Sequence, residues 1–354
     1  MHSYDQEAHE VQFSGRAGEW FGIWIVNLLL TIITFGIYSA WAKVRRNKYF
    51  YGNTSIGGRG FDYHATGMQI LIGRIIVIAV LIVYNVAAAV FPPLAFLLIF
   101  AFVFVLPWLL IRAAKFSARN TSWSNVRFDF DGRYWDAFIT FILAPIGVAL
   151  TLYTTLPLLT RRMNRFIIEG HRLGNRSFSL QVPAGSLYLA FGVALLFSLG
   201  MGVLLAVILA VAAGGMFAGL ATGEPSPEAV AMIILPIYLV MFLVFFPATI
   251  LYRAMVRNAV YGGTELQGGH RFASMVHPGR LIWIVISNAV IVVLTVGLML
   301  PWAQIRLQRY LAESTVVIAN GSLDQFAGEV QADGRAIGDA FSDIEGFDIG
   351  AAGI

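Results

Sequence analysis

An α-helical polytopic membrane protein, built from internally repeated helical segments with short cytoplasmic β-strands, is the fold class expected from three features of this chain. Its composition is apolar, it carries seven long apolar runs, and its basic residues are gathered between particular runs. Hydrophobic residues make up 58% of the 354 residues and charged residues only 12%. A water-facing surface needs about twice that charged fraction, so lipid must cover much of this one. Runs at 71–90, 94–111, 187–216 and 229–251 are each long enough to cross a bilayer, and 21–41, 137–159 and 281–302 are further candidates. Backbone in such runs must satisfy its own hydrogen bonds, which dictates helices.

Charge orders the connections. From Gly321 onward the chain holds seven acidic residues against Arg335, which leaves 23 basic and 13 acidic residues in the body. The basic residues fall mainly in 43–59, 112–133, 161–176, 253–280 and 306–309, whereas the Phe91-Pro92-Pro93 turn and the stretch 219–227 have no Lys or Arg. Lysine and arginine beside membrane segments mark the cytoplasmic face. The basic loops and the C-terminus are therefore expected inside, and the two other turns outside. Both loops flanking 137–159 are basic, which conflicts with seven successive spans. Two readings stay open: seven spanning helices, or four spanning and three re-entrant segments (21–41, 137–159, 281–302) with breaks near Asn27, Ala144-Pro145 and Asn288. The domain reading is a repeated membrane domain over 1–320 and an acidic, flexible cytoplasmic tail over 321–354. The first 19 residues lack the features of a secretory signal, so the first apolar segment is expected to serve as an uncleaved one.

Self-similarity is visible at fixed offsets. With Ala40, Pro107, Pro157 and Pro301 as origins, five residues on stand Arg45, Arg112, Arg162 and Arg306. Eight on stand Lys48, Lys115, Arg165 and Arg309; nine on, Tyr49, Phe116, Phe166 and Tyr310. Asn53-Thr54, Asn120-Thr121, Gly170-His171 and Ser314-Thr315 follow, and Phe61, Phe128 and Phe178 stand twenty-one on, where the last copy has Ser322. A looser copy runs from Pro247 to Arg253 and Arg257-Asn258. The pattern describes a helix leaving the membrane with basic residues on one face, closed by Asn/Thr and followed by a short alternating strand such as 126–131 or 178–182. Asn288, Thr295 and Gly297 repeat the relative places of Asn27, Thr34 and Gly36. A small cytoplasmic β layer capping a duplicated or triplicated membrane unit is the expectation.

The segment FSGRAGEWFGIWIVNLLLTIITFGIYSAWAKVRRNKYFYGNTSIGGRGFDYHATG resembles the opening signature of the YjgN family of bacterial inner-membrane proteins, classed as a domain of unknown function. Segments 128–136 and 297–309 and the closing GDAFSDIEGFDIG extend the likeness over most of the chain. The resemblance implies a multi-pass inner-membrane protein and transfers no catalytic residue.

Two sets of residues stand out for function. Arg45, Arg112, Arg162 and Arg306, with Lys48, Lys115, Arg165 and Arg309, either anchor helices by snorkelling to phosphates or form an anion- or lipid-facing site. Asn27, Asn288 and Arg74 are polar groups inside apolar runs, where such residues either bond neighbouring helices or mark a path. There is no cysteine, which excludes disulfides and thiolate chemistry. The six histidines form no H-E-x-x-H pair, and no P-loop, dinucleotide fingerprint or G-x-S-x-G elbow is present. No cofactor, no metal and no catalytic residue are expected. The loosely placed carboxylates Asp129, Asp131, Asp136 and Glu169 are the acid–base candidates a lipid-modifying enzyme would need. The basic residues hug membrane boundaries without a nucleic-acid fold, so membrane phospholipid and a small solute are the expected partners, with no nucleic acid. Transport of a small solute, anion or lipid is the leading reading of function, and a non-transporting membrane scaffold the alternative.

Overall fold

A computed structural model describes residues 6–220 and 227–332. The predicted turn at 219–227 and the tail beyond 332 lie largely outside the described residues. Strand β1 (Gln6–Phe13) leads into helices α1 (Ala17–Ile33) and α2 (Ser39–Gly52) and returns to strand β2 (Thr54–Ile56). A tight turn then starts the next unit with β3 (Arg59–Tyr63), α3 (Gly67–Val90), α4 (Pro92–Arg119) and β4 (Thr121–Trp123). The third comprises β5 (Val126–Phe130), α5 (Tyr134–Phe138), a π-helical turn (Ile139–Leu143), α6 (Ala144–Leu150), α7 (Leu156–Gly170) and β6 (His171–Leu173). The fourth runs β7 (Arg176–Leu180), α8 (Ala184–Leu220), α9 (Pro227–Gly262) and β8 (Thr264–Leu266). The fifth runs β9 (His270–Ser274), α10 (Pro278–Leu294), α11 (Leu300–Glu313) and β10 (Thr315–Asn320). Residues 323–332 form a last helix, α12.

The strands correct the expected fold class. They are not a short layer beside a purely helical polytopic protein but a closed, antiparallel, ten-stranded barrel in chain order, with β1 pairing both β2 and β10. Isolated hairpins of three to five residues expose unpaired edges and are marginal alone. Closure removes the edges. The longest pairing, Gln6↔Asn320 through Glu10↔Val316, joins the two ends of the chain.

Five helical arms rise from this barrel, and the same bond pinches each at its base. The residue after the ascending strand donates its backbone N–H to the carbonyl that ends the returning helix. The pairs are Ser14 to Asn53 (2.9 Å) and His64 to Asn120, Asp131 to Gly170, Gln181 to Gly263 and Met275 to Ser314, each 2.8 Å. The next side chain then bonds back to the carbonyl four residues earlier: Thr54 to Phe50, Thr121 to Ser117, Thr264 to Val260 and Thr315 to Leu311, at 2.7–3.0 Å. His171 Nδ1 meets the Ile167 carbonyl at 2.6 Å in the same place. These bonds satisfy carbonyls that a helix end otherwise leaves without partners. Ala40 and the aligned Pro107, Pro157 and Pro301 are all buried.

Arm length divides the five. Helices α3 and α4 and segments 184–207 and 240–262 of α8 and α9 are long and apolar enough to cross a membrane, whereas Ala17–Ile33, Tyr134–Leu150 and Pro278–Leu294 are shorter. The expected breaks near Asn27 and Asn288 are not there. Both residues sit inside continuous helices, and the chain reverses instead after Thr34, Thr151 and Thr295. Only the third arm is also interrupted where expected, by the π turn directly before Ala144-Pro145.

The barrel core is apolar. Trp123, Val126, Leu173, Leu266 and Ala319 pack with Phe61, Phe128, Phe178 and Phe272, and Leu323, Phe326, Ala327 and Val330 of α12 close over them. Two hairpin turns make room for α12. A Cβ at Gly57 would stand 2.8 Å from Leu323, and one at Gly174 2.6 Å from Val330; both glycines also have φ near +57°. Asp324 pairs with Arg59 at 2.6 Å, and Gln331 donates to the Ser124 carbonyl at 2.6 Å.

Candidate functional site

The third arm differs chemically from its neighbours. Its outgoing limb starts as an ordinary turn of helix, then widens into the π turn, and Pro145 follows without an N–H to restore the ladder. Such π segments recur at functional sites because the extra residue opens the helix wall. A groove of about 930 Å³ lies between the limbs. At its base stand Asp131, Asp136, Arg161, Arg162, Arg165 and Glu169; along it stand Thr140, Gly147, Thr151 and Thr155.

Specific bonds hold this lining. Thr140 is buried, and its hydroxyl accepts from Arg162 Nε at 3.0 Å. Thr151 donates to the Gly147 carbonyl at 2.9 Å and lies 2.6 Å from the Thr155 hydroxyl. Arg165 pairs with Glu169 at 3.0 Å and Arg172 with Asp131 at 3.3 Å. The result is a polar strip on an arm whose exposed surface otherwise carries Ile146, Leu150 and Leu152.

The arginines anticipated from the repeat stand on four different arms, each on the returning helix. Arg45 lies over the Tyr38 ring at 5.8 Å and Arg112 over Trp108 at 5.3 Å. Arg306 lies over Trp302 at 5.2 Å and also donates from Nη1 to Ser287 Oγ (2.7 Å) and Asn288 Oδ1 (3.0 Å). Arg162 reaches Thr140, as above. Lys48 is exposed and Lys115 half-buried. Arg165 is tied to Glu169, while Arg309 Nη2 reaches across to the Gly15 carbonyl at 2.9 Å. Arg74 of α3 bonds Ser39 at the start of α2. Asn288 Nδ2 donates to the Ala303 carbonyl at 3.0 Å, so this asparagine ties α10 to α11. Its counterpart Asn27 is 5% exposed, and its Oδ1 has no hydrogen-bond partner among the described residues.

The fourth arm shows a register that the sequence pattern concealed. Thr264 ends its returning helix, so the origin equivalent to Pro301 is Ile250 rather than Pro247, and Met255 takes the arginine's place. Asn258 stands eight residues on and holds the start of the fifth arm, accepting from Val276 N–H (3.0 Å) and donating to the Val276 carbonyl (2.9 Å). Arg309 does the same job at Gly15. The barrel phenylalanine of this copy is Phe272. Sequence reasoning also passed over Thr140, Thr151 and Thr155; their spacing along an apolar run was the available signal.

Three of the four candidate carboxylates are engaged, Asp131 and Glu169 by the arginines above and Asp129 by Arg119. Asp129 is raised by burial, but the Arg119 hydrogen bonds (2.9 and 3.3 Å), the Phe130 N–H and nearby Lys115 outweigh this and hold its pKa below the usual value. Among the described residues, no three His, Asp or Glu side chains are placed to share a metal ion.

Comparison with known proteins assigns the chain a family. Residues 8–344 match DUF898, a family described as bacterial proteins of unknown function. The chain belongs to this family. An inner membrane protein YjgN from Salmonella typhimurium strain LT2 is 26% identical over 374 residues, covering 91% of each chain. Its namesake from Escherichia coli O157:H7 is 28% identical over 173 residues, 48% of this chain and 44% of that protein. No solved structure matches. This DUF898 chain is a membrane protein, and among the described residues four helices are long and apolar enough to cross a bilayer.

Proposed function

We propose that this DUF898 chain is a multi-pass inner-membrane protein, its barrel and basic loops cytoplasmic, that moves an anionic amphiphile along the polar groove of its third arm. The groove carries this reading. It starts among arginines at the barrel rim and continues through threonine hydroxyls toward the apolar tip at Leu152. A phosphate headgroup entering hydrocarbon loses its water at a cost of several kcal/mol. Arg162 and Arg165 would meet it at the rim, and the hydroxyls of Thr140, Thr151 and Thr155 would replace part of that water further in. The second and fourth arms supply the crossing anchor, and the three short arms enter and return on one side.

The test is transbilayer movement of a fluorescent anionic phospholipid in vesicles containing the purified protein. Movement well above protein-free vesicles, reduced several-fold in Thr151→Val/Thr155→Val, is expected. Folded protein that leaves the rate at the protein-free level would remove the proposal and favour a non-transporting scaffold resting on the barrel.

A further inference from the structure

A second groove lies at the seam where the two ends of the chain meet. It occupies about 520 Å³ between the limbs of the fifth arm and the start of the first. Four guanidinium groups line it, those of Arg16, Arg280, Arg306 and Arg309, against one carboxylate, Glu313. The contrast with the third arm is one of compensation. There three carboxylates, Asp131, Asp136 and Glu169, share the lining with four arginines, and Arg165 is paired with Glu169. Here, among the described residues, Arg280, Arg306 and Arg309 form no ion pair within 4 Å, and Arg16 has only the exposed Glu19 at 3.9 Å.

These charges are held in place by bonds to neutral groups. Arg306 is fixed by Ser287, Asn288 and the Trp302 ring. Arg309 is fixed by the Gly15 carbonyl, and Arg280 lies over the Tyr310 ring at 4.9 Å. A guanidinium has five N–H donors, so most of theirs stay available. Holding like charges together costs energy that an anion can repay, and arginine pairs bidentately with phosphate. Two tryptophans in the lining, Trp302 and the 65% exposed Trp283, are the residue type that settles at headgroup depth.

We infer that this seam is a binding site for a phosphate-bearing anion, with Arg280, Arg306 and Arg309 as its cationic ligands and Arg16 as a fourth from the first arm. Its position where apolar helices meet the barrel favours the headgroup of an anionic phospholipid. A bound headgroup would bridge the first and last arms, which otherwise meet through Arg309 to Gly15, Trp20 to Gln304 (2.8 Å), the packing of Phe13 and Trp20 against Ile305 and Ala312, and the β1–β10 ladder. The site is independent of movement along the third arm. Its binding is expected to weaken with salt, as contacts of exposed charges do.

The experiment uses full-length protein and measures lipid binding and thermal stability with three additions: phosphatidylcholine vesicles, the same vesicles containing phosphatidylglycerol, and inorganic phosphate. Phosphatidylglycerol is expected to raise the melting temperature and to bind at least about five-fold tighter than phosphatidylcholine. Arg16→Gln/Arg280→Gln, which leaves Arg306 and its asparagine in place, should abolish most of that preference. Arg127→Gln, at an exposed arginine of barrel strand β5 outside both grooves, should retain it. Inorganic phosphate giving the same protection, lost in the same variant, would keep the site and assign it to a soluble phosphate. Equal binding of the two vesicle types, or a preference unchanged in Arg16→Gln/Arg280→Gln, would overturn the inference. Loss of lipid movement with this preference intact would count against the third-arm reading alone.

Discussion

Long and short arms share one base and differ at their tips. The second arm turns at Phe91-Pro92 between helices of 24 and 28 residues, about 36 and 42 Å at 1.5 Å per residue. The first arm rises through 17 residues and returns through 14, which already include Lys43, Arg45, Arg46 and Lys48. All three short arms reverse through one kind of turn. Phe35, Leu152 and Val296 each have φ near +49°, and the residue after each donates to a carbonyl five back: Gly36 to Thr31, Tyr153 to Val148 and Gly297 to Val292, at 2.7–2.9 Å. This is a helix C-terminal motif in which a left-handed residue closes the last turn. The base therefore sets where an arm starts, and its helix length and tip residues set how deep it goes.

The largest effect expected from this difference is all-or-none. The chain has no cysteine, so single cysteines at Phe91, Phe35, Leu152 and Val296 report their own exposure to an impermeant maleimide. In intact cells only Phe91→Cys should label. A short-arm tip that labels from outside would make that arm a span.

Next comes a comparison between two short arms. Asn288→Leu removes the tie to Ala303 and leaves Arg306 without its amide partner, so a loss of about 1–2 kcal/mol is expected. Asn27→Leu removes a buried oxygen that has no partner, so it should be neutral or stabilising. Equal losses in thermal denaturation would mean that the two arms are held together alike.

The turns can be tested one against another. Gly36→Ala should cost about 1 kcal/mol, because alanine is strained at φ +91°, while Tyr153→Gly should cost nothing or gain, since tyrosine already sits at +65°. Both are read from melting temperature.

The smallest effect lies in the barrel, the part all arms share. Burial and then the field of Arg176 hold the His270 pKa below its usual value, against the pull of Glu329. Its ring packs on Phe326 of α12 at 4.2 Å, and Nδ1 accepts from Asn320 N–H. When α12 leaves, the burial it supplies through Phe326 is lifted and the His270 pKa rises toward its ordinary value near 6.5. Below that pH the open state binds more protons, so packing of α12 weakens as pH falls and is unaffected above it. A spin label on Gln325→Cys should gain mobility below about pH 6.5, and His270→Gln should flatten the response.

Much of the local structure was legible in the residues themselves. Asn53-Thr54, Asn120-Thr121 and Ser314-Thr315 mark helix ends because their side chains bond the carbonyls there. The matched Thr34 and Thr295 mark tips for the same reason, each hydroxyl reaching the carbonyl four residues back at 2.7 Å. Asn27 and Asn288 misled, because an amide inside an apolar run reads equally as a break or as a tie between helices. Of the third-arm groove, Arg162, Arg165 and the carboxylates could be singled out in advance, whereas the threonines show only a spacing in the sequence and Thr140 finds its partner, Arg162, across the folded arm.

By itself, then, the sequence determined what is local: apolar runs that must be helices, the residues that stop them, and the charges at their ends. Those depend on neighbours within four or five positions. Tertiary structure alone decided the barrel, because a strand of three residues carries too little pattern to name its partner and closure joins residues 6–10 to 316–320. It also decided the seam groove, whose arginines come from both ends of the chain. Barrel closure brings those ends side by side, and with them four arginines that share the groove with a single carboxylate, Glu313.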